Sequence, residues 1–250
     1  MNDSLQTQAH AVGHIEIDPN SYLVIDRERI TNRNFDGIEL EKFTAINSRF
    51  KKCTFVDARI RDACWGGGRR RTNYIECTFD GAKFGSISPG NARFVDCSFR
   101  NVRISEFLGR DIELIDCKFS GTLKKGFLNG RRDKSEVGFF GRRRNKFAGN
   151  DFSECELQDF SFRTGVQLER SKLPSGPRYV FIDDPRSSLD GAKLHIAKWD
   201  SADDRRLGNA IIQSMEMELK DGQRQQLYII HDSRQFAAVS KRLADFFVSG

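Results

Sequence analysis

The sequence predicts a mainly β solenoid with a small α/β appendage at its C-terminal end. Three observations predict it. Large apolar residues recur at every fifth position, like residue types recur at every twentieth, and both patterns stop after Phe162. A period of five matches neither the 3.6-residue helix nor the two-residue strand. A period of 20 is the mark of stacked coils that bury a continuous ladder of like side chains.

The middle tract is the clearest. Its large positions run Tyr74, Phe79, Phe84, Pro89, Phe94, Phe99, Ile104, Gly109, Leu114, Phe119. Two residues before each sits a smaller or second apolar residue, as in Cys77, Ala82, Ile87, Ala92, Cys97, Val102, Phe107, Ile112 and Cys117. In the 20-residue frame Phe79, Phe99 and Phe119 align, as do Phe94 and Leu114, and Ile87, Phe107 and Phe127. The unit reads small–x–Phe–polar–x, as in Cys77-Thr78-Phe79-Asp80-Gly81 and Cys97-Ser98-Phe99-Arg100-Asn101. In this it resembles the pentapeptide-repeat family, over roughly Leu23 to Phe162. The resemblance implies a right-handed quadrilateral β-helix with one pentapeptide per face. The Cys-x-Phe style is similar to the branch that protects type II topoisomerases, which implies a non-catalytic scaffold with a protein partner of that kind. The DNA-mimic members of the family are strongly acidic, and this chain departs from them in charge.

The elements follow in order. Residues 1–22 are expected to form an N-terminal cap that opens on the alternating His14-Ile-Glu-Ile-Asp18, since a solenoid end must cover its unpaired backbone. The repeat occupies 23–165. Its first tract reads Ile25, Ile30, Phe35, Leu40, Ala45, Phe50, Phe55, Ile60, Trp65, with Ile38, Phe43, Ser48, Cys53, Ala58 and Ala63 as second inner positions. The phase then breaks at 66–71 and again at 130–144, and a last tract reads Phe147, Phe152, Leu157, Phe162. Counting faces from Cys53/Phe55 sends both insertions out between faces three and four, with their roots three coil spacings or roughly 14 Å apart. Glycines gather at this corner: Gly66, Gly67, Gly68, Gly90, Gly109 and Gly130.

Residues 166–250 differ in kind. Leu168 to Pro185 reads as a linker with a short strand at Arg178–Ile182. Asp203–Lys220 carries Leu207, Ile211, Met215 and Leu219 on one helical stripe, with Ser201 as N-cap. Gln226–His231 reads as a strand and Ser233–Val248 as a second helix. This region is expected either to cap the last coil or to mediate homodimerisation.

Charge and cysteines narrow the function. Residues 122–146 hold nine cations and two carboxylates, a net of +7, so the rest of a chain of net +6 stands at −1. The candidate binding residues are therefore Arg69, Arg70 and Arg71 on the first insertion, and Lys124, Lys125, Arg131, Arg132, Arg142, Arg143, Arg144 and Lys146 on or beside the second. Phe139 and Phe140 stand among them as an aromatic pair suited to stacking or to a partner pocket. Two Arg triplets on one edge suit a polyanion, either a nucleic acid or an acidic protein surface. The bland alternative is that both runs are solvated loops. Five of the six cysteines (Cys53, Cys77, Cys97, Cys117, Cys155) occupy the small inner position and are expected to be buried thiols.

No apolar run approaches a membrane span and the first residues lack an apolar signal core, so a cytoplasmic location is the expectation. No cofactor or metal is expected. The sequence has no G-x-x-x-x-G-K-[ST] loop and no G-x-S-x-G elbow. The only acid/base clusters in the tail are Asp183-Asp184, Glu216 with Glu218, and His231-Asp232-Ser233. A metal nuclease could use Asp184 with Glu218 and Lys220, but a Glu-x-Lys on a helix is common by chance. Three readings follow. The first is a non-catalytic scaffold presenting basic loops to a protein partner. The second is direct DNA or RNA binding, and the third is an effector or enzyme activity in the 174–250 tail.

Overall fold

A computed structural model describes residues 21–249 except Lys134, Glu136, Phe139 and Phe140. The described residues form fifteen strands and three longer helices. Seven strands stack in parallel into one sheet: β1 (Tyr22–Asp26), β3 (Glu39–Ile46), β5 (Arg59–Gly67), β7 (Lys83–Ile87), β9 (Ser98–Gly109), β11 (Lys118–Asn129) and β13 (Asp151–Arg163). Six shorter ones form a second parallel sheet: β2 (Arg29–Thr31), β4 (Arg49–Lys51), β6 (Thr72–Ile75), β8 (Ala92–Val95), β10 (Glu113–Ile115) and β12 (Phe147–Ala148). The long strands cover faces two and three of a quadrilateral solenoid. The short ones cover face four, and single bridges such as Asn34–Thr54–Thr78–Ser98 tie face one.

The inward pattern is the predicted one. Every large position of the three tracts is buried. On face one the rings of Phe35, Phe55, Phe79, Phe99, Phe119 and Phe152 stack in one column, with centroids 4.6–4.9 Å apart. That spacing equals the distance between hydrogen-bonded strands, so backbone pairing and ring stacking reinforce each other. Phe50, Tyr74 and Phe94 stack likewise on face four, and Trp65 meets Tyr74 and Phe79 edge-on. All six cysteines are free thiols. Those at 53, 77, 97 and 117 point each sulfur at the carbonyl two residues before. Burial pushes the Cys155 thiol up to about 12, which keeps it protonated and inert.

The corners are periodic too. Asn32, Lys52, Glu76, Asp96, Asp116 and Gly149 all have φ between 52° and 68°. Asn, Asp and Gly tolerate this left-handed region best, which explains the polar residue that follows each short strand.

One predicted alignment fails. Phe119 pairs with Phe99, but Gly121 pairs with Val102 and Gly126 with Phe107, one residue short of the 20-residue frame. The chain saves that residue at Gly121, where φ is 93° and a Cβ would lie 2.2 Å from the Val102 carbonyl oxygen. Leu123, Gly126 and Leu128 therefore turn inward, whereas Phe127 turns outward under the Arg163 guanidinium at 4.7 Å.

The tail closes the last coil. Strands β14 (Tyr179–Ile182) and β15 (Gln226–Ile229) pair antiparallel, and α1 (Pro185–Ala197), α2 (Ala202–Lys220) and α3 (Ala237–Ser249) pack with them around a second core containing Trp199, Ile212 and Leu243. The wholly buried Gln223 side chain accepts from the Gly165 and Val166 N–H groups and donates to the Val166 carbonyl. The Tyr179 hydroxyl accepts from the Leu157 N–H. The Ser201 cap is as predicted, its hydroxyl accepting from the Asp204 N–H. Helix α1 was legible only in part: Asp184 caps it and Pro185 takes its first position, a favoured start, where the sequence reads as the end of a linker. Helix α3 starts four residues later than expected. The proposed N-terminal strand at 14–18 lies outside the described residues.

Candidate functional site: a basic corner braced by buried carboxylates

Both insertions leave between β5 and β6 or between β11 and β12, that is, at the same corner and three short strands apart. They do not project independently. Glu113, on β10 between them, is buried and receives three arginines. Arg71 of the first insertion lies 3.1 Å from one carboxylate oxygen and Arg93 of face four 2.6 Å from the same oxygen. Arg142 of the second insertion lies 3.4 Å from the other oxygen. One coil corner away, Asp111 takes Arg132 at 3.4 Å, with the Arg132 side chain fully enclosed. Asn91 joins the two loops directly. Its carbonyl oxygen accepts from Arg132 at 3.0 Å and Arg142 at 2.7 Å, and its amide donates to the Arg69 carbonyl at 2.9 Å.

The base of the second insertion is a narrow hairpin. Arg131 and Arg144 form an antiparallel bridge, and the Arg132 N–H donates to the Arg143 carbonyl. Asn145 donates to the Arg110 and Asn129 carbonyls at 2.7 and 2.8 Å. The first insertion starts at Gly66, where a Cβ would fall 2.4 Å from the Asn91 backbone, so only glycine lets these two coils close.

Four guanidinium groups and two carboxylates thus share a largely buried corner, with Arg71 and Arg93 partly exposed at its edge. Burial pushes the Arg142 guanidinium down to about 10 against the pull of Glu113, and lowers that of Arg71 for the same reason. Burial also raises Asp111, although Arg132 and Arg142 oppose the shift. The desolvation cost is tolerated because each charge has partners of opposite sign or hydrogen bonds.

The predicted site residues therefore separate into groups. Arg71, Arg132 and Arg142 are not solvent-facing: they brace the corner. Arg69 and Arg70 are exposed on the first insertion, and Arg143 on the second. Arg131, Arg144 and Lys146 are exposed beside a cleft against the C-terminal unit, where Arg170 and Arg224 join them with Glu169 and Asp183. Lys124 and Lys125 are exposed on β11 at the far corner of face three, so the structure does not bring them to the others. Phe139 and Phe140 lie outside the described residues. Asn91, Asp111 and Glu113 were missed by sequence reasoning. Their signal was present: Arg71, Asn91 and Asp111 are 20 apart, as are Asn73, Arg93 and Glu113.

Comparison with known proteins adds little. No protein-family profile matches the sequence, and neither does any curated protein. Among solved structures the chain is similar to QnrB1, a plasmid-mediated fluoroquinolone resistance protein. A trypsin-treated variant of it aligns at 16% identity over 64% of this chain and 85% of that one, with a TM-score of 0.25. The full-length form aligns at 13% over 60% and 81%, with a TM-score of 0.20. The β-solenoid fold rests on the strand pairing above.

Several acid and base groups of the tail are engaged in structural pairs. Asp184 caps α1, Arg178 bridges Glu156 and Asp232, and His231 lies 3.6 Å from Asp159. The described residues contain no cluster of three metal-ligating side chains. Among the described residues no helix is long and apolar enough to cross a membrane. Glu218 lies 3.6 Å from Arg163 of the last coil. Burial raises its carboxyl from 4.5 to about 7, with Arg163 opposing the shift. The folded chain then holds a proton that the unfolded chain has already released. Stability from this group is present at low pH and falls as pH rises toward 7. Glu218→Gln is expected to flatten the decline in unfolding free energy between about pH 5 and 7, read by urea melts across that range. A wild-type profile unchanged by the substitution contradicts the assignment.

Proposed function

We infer that the protein is a non-catalytic binding scaffold of the pentapeptide-repeat type, which holds an ordered basic corner toward a macromolecular partner. The bracing of both insertions onto Asp111 and Glu113 carries this reading. Loops that merely solvate charge have no reason to turn Arg71, Arg132 and Arg142 onto buried carboxylates, whereas a preorganised surface avoids the entropy cost of ordering on binding. The stacked interior leaves the outer corners and faces as the recognition surface, and Arg178, Glu218 and His231 of the tail pair with the last coil. The repeat itself supports family membership. The Cys-x-Phe units make a type II topoisomerase the first protein partner to assay.

The test is capture from cell extract with and without nuclease, and binding of a purified type II topoisomerase, comparing wild type with R143E/R144E. Arg142 stays unchanged because it is structural. The two exposed reversals are expected to leave stability within about 0.5 kcal/mol and to lose the captured partner. Equal capture by both proteins refutes the role of this corner.

A further inference from the structure

A second basic surface lies on face four, on the N-terminal side of the braced corner, and the sequence analysis did not single it out. Arg29 and Arg49 point outward from β2 and β4 at paired positions, one coil apart. With Arg27, which pairs with Asp26 at 3.7 Å, they line a groove together with Arg69, Arg70 and Arg71 of the first insertion. Glu28 is the one carboxylate in the lining.

Elsewhere on the solenoid, several outward cations are answered by acids in neighbouring coils. Arg59 pairs with Glu39 at 3.1 Å and Arg61 with Glu41 at 2.5 Å on face two. Lys51 and Lys52, next to the groove, pair with Glu76. Even Arg93, in the same outward column as Arg29 and Arg49, is answered by Glu113. Among the described residues no carboxylate lies within ion-pair distance of Arg29, Arg49 or Arg70. Like charges directly opposite in a sheet are destabilising. Arg29 beside Arg49, with Arg70 in the same groove, is therefore a gathering of like charge that an anionic ligand would relieve.

The lining also indicates the kind of anion. Every residue of the groove is charged or polar, with no apolar or aromatic member. Protein interfaces bury an apolar or aromatic centre, whereas nucleic-acid interfaces are more polar and far more positive. Guanidinium groups suit phosphate oxygens, which they grip in pairs. With no exposed ring for base stacking, recognition would be of the backbone and independent of sequence.

We propose that this groove binds the phosphodiester backbone of a nucleic acid through Arg29, Arg49 and Arg70, with Arg27 and Arg69 alongside. The proposal rests on the reading of the corner as a recognition surface and names its partner chemistry. The test is fluorescence anisotropy with a short labelled DNA duplex, a single-stranded RNA and poly-glutamate, each across a salt series, using the full chain. Wild type is expected to bind both nucleic acids with a steep salt dependence. R29Q/R49Q is expected to bind about tenfold more weakly at low salt and to lower the salt slope by about 2, one per contact removed. R59Q, on another face, serves as the control with unchanged binding, and thermal melts of all variants verify the fold. Wild type failing to bind either nucleic acid overturns the proposal. So does poly-glutamate binding as tightly as the duplex, which would indicate an acidic protein surface instead. Nucleic-acid binding that R29Q/R49Q leaves intact and R143E/R144E removes also overturns it, while leaving the corner reading standing.

Discussion

Glu113→Gln is expected to destabilise the protein by about 3–5 kcal/mol. The side chain keeps its volume, so the cost is electrostatic. Arg71, Arg93 and Arg142 would share no carboxylate, and the corner would hold four guanidinium groups against Asp111 alone. Removing one partner of a buried ion pair leaves a charge that has lost its hydration without compensation, which costs far more than the pair contributes. Urea unfolding reads the total. Limited trypsin digestion locates it, because loosened insertions open Arg71 and Arg142 to cleavage. A loss under about 1 kcal/mol, the range of an exposed pair, with unchanged cleavage, refutes the bracing role and with it the preorganised corner.

Phe99→Ala is expected to cost a similar amount, about 3–5 kcal/mol, for a different reason. The ring lies between Phe79 at 4.6 Å and Phe119 at 4.7 Å, almost parallel to both, with the edge of Phe94 against it. Its removal opens a cavity mid-column, where neighbouring coils cannot collapse without breaking their strand register. In a solenoid each coil touches only its neighbours, so a weak layer also uncouples the two halves. The expected signature is a lower urea midpoint together with a shallower transition. A midpoint shift below about 2 kcal/mol with unchanged steepness shows that the column is not continuous through this coil.

These two residues illustrate what was readable. Phe99 was identifiable at sight, because a ring at every fifth position has one place to go in a stacked coil. Glu113 looked like an ordinary surface acid between Ile112 and Leu114. Only its place in the same frame as Arg93 hinted at a partner, and nothing local told that Arg142 would return to it. Phe127 shows the opposite error. It fits the 20-residue frame by type, but the residue saved at Gly121 moves the inward register to Leu123, Gly126 and Leu128. A one-residue slip exchanges inside for outside, and a run with apolar residues at both phases, such as Gly126-Phe127-Leu128, does not reveal it. In the tail, the second core drew together helices whose amphipathic stripes were visible singly. Their docking on Gly165 and Val166 through Gln223 was not, since one polar side chain carries no periodic signal.

The sequence by itself determined the solenoid, its inward ladder and the corner from which both insertions leave, because those follow from short repeats that must take apolar side chains out of water. Only the tertiary structure decided which arginines face outward. Arg71, Arg132 and Arg142 were drawn inward by Asp111 and Glu113, and Arg29 and Arg49 were left facing outward. The physical reason is that a charge is held by whatever lies within a few ångströms of it, and here those neighbours come from other coils, at separations along the chain set by where each insertion folds back.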